Sequence, residues 1–168
     1  MSRVKLLVWG VVLSLLLGCS SIMPFSEDDS EAIRLDMLIE AAHDVNFDKE
    51  SDPSPIEMRI YQLSSLSEFE QADFFTLYND EPLKTTLQES RSFIISPSQI
   101  EKFITELKPE TKFIAVVAAY QDIDNATWKD VVQVRDSRGF FKRMISSQKV
   151  MSLHALALNS RVLLTDQE

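Results

Sequence analysis

The run Phe113-Ile114-Ala115-Val116-Val117-Ala118-Ala119 contains no polar side chain. In an extended chain successive side chains point to opposite faces, so this run is apolar on both. Bounded by Lys112 and Tyr120, it reads as a central strand. Ile33, Leu35, Met37, Ile39 and Ala41 alternate with Arg34, Asp36, Leu38 and Glu40, the period of a half-buried strand. A second strand follows over residues 56–63, with Ile56, Met58 and Ile60 on one face and Glu57, Arg59 and Tyr61 on the other. Arg91, Phe93 and Ile95 mark a third, stopped by Pro97. Further strands are read at Val131, Val132 and Val134, at residues 151–158 and at residues 162–164. Asp122, Asp124 and Asn125 form the turn before Trp128, which is expected to be mostly buried. Six to eight short strands with little helix imply an all-β sandwich.

Two stretches depart from that period. Phe69, Ala72, Asp73, Phe74, Phe75, Leu77 and Tyr78 recur at helical spacing, with Ser65 or Ser67 as a cap, so one or two short helices are expected at about residues 65–80. Such an aromatic stripe plugs a helix onto a core more often than it lines a ligand pocket. Residues 98–107 fit both periods, with the local pattern favouring the helix. Ile100, Phe103, Ile104 and Leu107 match a helix, with Ser98 and Glu101 as a capping box. Phe103, Thr105 and Leu107 match a strand.

Composition removes several functions. Three glycines cannot build phosphate-cradling loops, and one cysteine cannot make an internal disulfide or a Cys-rich zinc site. A net charge of −9, from 17 basic and 26 acidic residues, argues against a nucleic-acid partner. His43 and His154, the only histidines, stand in no metal-ligand spacing. Asp48, Glu50 and Asp52 alternate as in a calcium loop, but Pro53 and Arg59 stand where that loop needs its glycine and its bidentate glutamate. No Gly-x-Ser-x-Gly elbow supports a hydrolase. The chain reads as a binding or structural domain without metal or cofactor, and not as an enzyme.

The N-terminus reads as a sorting signal. Arg3 and Lys5 precede an apolar run of 13 residues, Leu6 to Gly18, where a bilayer-spanning helix needs about 20. Leu16-Leu17-Gly18-Cys19 resembles the bacterial lipobox, in which the cysteine becomes the lipidated first residue of the mature chain. Residues 1–18 are then a cleaved signal peptide, and Cys19 carries a diacylglyceryl group and an N-acyl chain. Two or more chains give a stable anchor where one gives marginal binding. Ser20 stands where an aspartate would resemble the inner-membrane retention signal, so the expected destination is the outer membrane, inner leaflet, facing the periplasm. Residues 19–31 are short, polar and acidic and read as a flexible tether, leaving residues 32–168 as the sandwich domain.

Several stretches in order resemble the type VI secretion lipoprotein (TssJ, SciN/VasD) family. They are the lipobox; Asn46 with Pro53-Ser54-Pro55 ahead of Arg59-Ile60-Tyr61-Gln62-Leu63; Phe69 with Ala72-Asp73-Phe74 and Leu77; and Val116-Val117-Ala118-Ala119-Tyr120 followed by Ala126-Thr127-Trp128. The family usually has Pro-Gly where this chain has Pro97-Ser98, and arginine where it has Lys129. Residues 135–150 are longer and more basic than the family's and receive no assignment. The resemblance implies a transthyretin-like or immunoglobulin-like sandwich of two sheets with a small helical insertion, and a strand at residues 98–107. It implies a lipoprotein that binds the periplasmic C-terminal part of an inner-membrane TssM-type (IcmF-like) protein. The family's partner contact lies between the first two strands. Here that loop comprises Val45, Asn46, Phe47, Asp48, Lys49, Glu50, Ser51, Asp52, Pro53, Ser54 and Pro55. By composition alone the same loop reads as a solvated connection. A pilotin or assembly factor of another envelope machine and a lipid-anchored periplasmic hydrolase are the alternatives; the latter would need converging ionisable groups that the sequence does not offer.

Overall fold

The computed structural model describes residues 32–47, 52–78, 83–135 and 148–167. The signal peptide, Cys19, the tether and most of residues 135–150 lie outside these. Among the described residues there are eight strands: β1 (Arg34–Ala41), β2 (Ile56–Leu63), β3 (Leu87–Ile95), β4 (Ile100–Glu106), β5 (Phe113–Ala118), β6 (Lys129–Gln133), β7 (Val150–Ala157) and β8 (Val162–Asp166). Two short helices, α1 (Ser67–Gln71) and α2 (Phe74–Tyr78), lie between β2 and β3. The strands form two four-stranded sheets, ordered β4-β1-β7-β8 and β3-β2-β5-β6. All neighbours are antiparallel except β1 and β7, which run parallel with Leu35 opposite Met151 and Ile39 opposite Ala155.

Alternation in the sequence places the core. In β1 Leu35, Met37, Ile39 and Ala41 are buried while the residues between them are partly exposed, and β7 repeats the pattern with Met151, Leu153, Ala155 and Ala157. These pack against Ile56, Met58 and Ile60 of β2 and Ile114, Val116 and Ala118 of β5. The opposite faces of the same two strands carry a second core, in which Tyr61, Leu63, Ala115 and Val117 pack against Phe69, Leu77 and Leu83. The two-faced run of β5 is thus covered by the other sheet on one side and the helical insertion on the other. Burying side chains as large as Phe69 and Leu77 stabilises by about 1.5–3 kcal/mol each.

The insertion is fastened by polar groups. Lys129 Nζ donates to the carbonyls of Phe69, Glu70 and Ala72 at 3.0, 3.1 and 3.2 Å, satisfying groups that a helix C-terminus leaves open. The ammonium also stands 4.9 Å from the Trp128 ring, and desolvation lowers its pKa. Asp73 caps α2 by accepting from the Thr76 N–H at 2.7 Å. Leu66 occupies the N-cap position of α1 without a side-chain hydrogen bond, while Ser65 Oγ accepts from the Ser67 N–H of the first turn at 3.4 Å. Trp128 is partly buried and touches both cores.

Residues 100–106 are a strand. β4 pairs with β1 from Arg34 to Glu40, with Ile104 opposite Asp36 and Phe103 opposite Met37, and the Phe103 ring meets Phe93 of the other sheet at 5.1 Å between centroids. Ile100 and Ile104, which a helix would have placed on its buried stripe, are 60% and 51% exposed. Ser98 lies at φ 64°, outside the extended conformation of an N-cap.

Candidate functional site

The β1–β2 connection leaves β1 through a turn in which the Val45 N–H donates to Ala42 O at 3.1 Å. Val45 is fully buried, and Asn46 is nearly so and sits at φ 56°. Asparagine is one of the few side chains that tolerates this left-handed conformation, because it can hydrogen-bond locally. Its Nδ2 donates to Ser54 Oγ at 3.1 Å and to Pro55 O at 3.4 Å, closing the base of the loop. The backbone N–H of Gln121, 75 positions away, donates to Asn46 Oδ1 at 2.8 Å. Gln121 Nε2 donates to the same Ser54 hydroxyl at 2.8 Å, and the Asn46 N–H donates to Asn159 O at 3.2 Å. One buried asparagine therefore ties together three connections: β1–β2, β5–β6 and β7–β8.

The loop residues divide accordingly. Val45 and Asn46 are buried. Phe47 is 45% exposed, and Asp52 and Pro55 are exposed, while Pro53 and Ser54 are half-buried. Asp48, Lys49, Glu50 and Ser51 lie outside the described residues, as does Cys19. The structure adds residues that sequence reasoning missed. Asn46 and Phe47 join Tyr120, Gln121 and Asp122 of the β5–β6 connection and Asn159 and Ser160 of the β7–β8 turn around an open cup of about 470 Å³. Tyr120 is 6% exposed, and burial raises its phenol pKa further above the working range. Its hydroxyl has no hydrogen-bond partner among the described residues. Asp122 accepts from Asn125 Nδ2 on both carboxylate oxygens at 2.9 Å, so the turn at residues 122–125 forms as its composition predicts. No local signal joins these connections, because each is read separately along the chain.

Histidine chemistry does not assemble here. His43 is exposed, 4.0 Å from Asp44, and His154 meets Glu40 at 2.9 Å on the outer face of the first sheet. Among the described residues no group of three or more metal-binding side chains comes together. The arrangement offers recognition by shape, hydrogen bonding and charge.

The family model described as "Type VI secretion lipoprotein, VasD, EvfM, TssJ, VC_A0113" matches residues 33–160. The T6SS lipoprotein TssJ1 from Pseudomonas aeruginosa superposes with a TM-score of 0.70 at 24% identity, over 82% of this chain and 98% of that one. Serratia marcescens Lip, described as a membrane bound component of the Type VI Secretion System, gives 0.70 at 28% identity, over 82% and 99%. A chain of the structure described as the T6SS protein TssM C-terminal domain (869-1107) from EAEC gives 0.60 at 19% identity, over 79% and 97%. No curated protein matches the sequence at comparable stringency. With the family model spanning both sheets from β1 to the β7–β8 turn, the chain belongs to the type VI secretion lipoprotein family.

Proposed function

We propose that this protein is the outer-membrane lipoprotein of a type VI secretion membrane complex. Cleavage between Gly18 and Cys19 and lipidation of Cys19 anchor it in the inner leaflet, and residues 19–31 tether the sandwich in the periplasm. There the β1–β2 loop end binds the periplasmic C-terminal domain of an inner-membrane TssM-type (IcmF-like) subunit. The observation that carries this reading is the family match beginning at residue 33, shortly after a lipobox. Strand direction supports it. β1 is eight residues long, about 26 Å at roughly 3.3 Å per residue, and runs from the end where the chain enters the domain to the loop. The loop thus stands at the end of the domain away from its attachment. Likeness to a chain of the structure described by its TssM domain supports the choice of partner.

Two measurements test the two halves. A palmitate analogue should label the wild type and leave Cys19→Ser untagged; equal labelling of both removes the anchor. Replacing residues 48–52 by a short Gly-Ser bridge should weaken calorimetric binding to the partner's periplasmic domain by about tenfold or more, an effect of about 1.4 kcal/mol. A folded variant within about twofold of wild type moves the interface away from the loop.

A further inference from the structure

The cup at the loop end has a defined chemistry. Among the described residues its lining is amide, hydroxyl, aromatic and carboxylate, with no cationic side chain. Its volume of about 470 Å³ suits an inserted side chain or small ligand. The same three connections also carry Asp44, Asp52 and Asp124, against Arg161 and His43 as the basic residues among those described. Asp122 is exposed, and although both its oxygens accept from Asn125, each carboxylate oxygen has a second lone pair to offer. The independent sign of an occupant is Tyr120. It lines the cup and is more than nine-tenths buried, and its hydroxyl, closed off from solvent, is unpartnered among the described residues, so a donor meets it only where an entering group displaces the lining around it. Buried hydroxyls are normally paired.

Resting on the reading that this end of the domain docks the inner-membrane partner, we propose that the cup receives a lysine or arginine side chain from a cationic segment of that partner. Asp122 is the counter-charge and the Tyr120 hydroxyl is the neutral acceptor. Lysine and arginine are donor-only groups with several N–H bonds, which fits a site rich in acceptors. The surrounding aspartates speed the encounter with a basic segment and repel an acidic one. Partner recognition then extends beyond residues 45–55 to two connections distant in sequence.

The test titrates the partner's periplasmic domain into wild type, Tyr120→Phe, Asp122→Asn and Asp122→Glu at low and high salt, with urea denaturation of each free protein. Tyr120→Phe is expected to weaken binding about fivefold while the denaturation midpoint of the free domain holds or rises. A purely structural role would move both downward together. Asp122→Asn is expected to weaken binding about tenfold and flatten its salt dependence, and Asp122→Glu to restore part of both. Wild-type binding with both Tyr120→Phe and Asp122→Asn within about twofold overturns the cup and leaves the proposed function standing. The cup is likewise overturned if Tyr120→Phe loses stability together with binding while Asp122→Asn is silent. A folded wild type that does not bind the partner domain at all overturns the proposed function and the cup with it.

Discussion

At Ser98 the chain turns from one sheet to the other. The Gln99 N–H donates to Ser96 O at 3.0 Å, Pro97 takes the second position of the turn, and Ser98, the third, has φ 64°. That is the pattern of a type II turn, which favours glycine at the third position. Serine carries a Cβ into the left-handed region, at about 1 kcal/mol. Ser98→Gly should therefore raise stability by about 1 kcal/mol in urea denaturation, less the extra entropy glycine gains in the unfolded chain. An unchanged or lower midpoint would show that the turn is not strained. Asn46 has a similar φ, 56°, but the opposite expectation. Its amide bonds Ser54 across the loop and the Gln121 N–H of the β5–β6 connection, and glycine would remove both bonds.

The helical insertion shows how an element of two short helices is held by its ends. Glu68 accepts from Thr85 Oγ1 at 2.6 Å and Thr86 Oγ1 at 2.8 Å, joining α1 to the segment that leads into β3. These bonds, the Thr85 one first, lower the Glu68 pKa below 4.5, and the Thr76 contacts lower that of Asp73 below 3.8. A depressed carboxylate stabilises the fold above its unfolded pKa, and the contribution disappears as pH falls through the folded value. Glu68→Gln should flatten the decline of the denaturation midpoint between about pH 5 and pH 3, and adding Asp73→Asn should flatten it further. An acid limb as steep as that of wild type would assign the pH dependence to other carboxylates.

For the whole molecule the relevant feature is that one sheet serves two cores. Ile114, Val116 and Ala118 face the other sheet, while Ala115 and Val117 face the helices. Trp128 packs on both cores and meets Phe74 edge-on at 5.6 Å between ring centroids. The insertion and the sandwich should therefore unfold together. A fragment of residues 31–168 is expected to lose tryptophan fluorescence and far-ultraviolet dichroism in one coincident transition. Trp128→Ala should lower its stability by about 3 kcal/mol, at the low end for tryptophan because the ring is only partly buried. Two separated transitions, or a loss below about 0.5 kcal/mol, would uncouple the insertion.

Much of this fold was legible in single residues and their spacing. Period-two alternation in β1, β2 and β7 identifies strands and their buried faces, because a strand's geometry ties each side chain to one side. The apolar character of both faces of β5 already required two coverings, and the aromatic stripe supplied the material for one. Residues 100–106 were different. Their local pattern favours a helix and the family resemblance a strand, and the backbone partners offered by β1, with the Phe93 ring across the sandwich, make them a strand. The site divides the same way. The loop, with two prolines at its end, was visible as a loop, but Val45 and Asn46 are withdrawn from solvent by hydrogen bonds and packing that span the length of the chain. The cup around Tyr120 is made by three connections that no local pattern links, because spatial convergence is set by strand order, and strand order exists only once the sheets have formed.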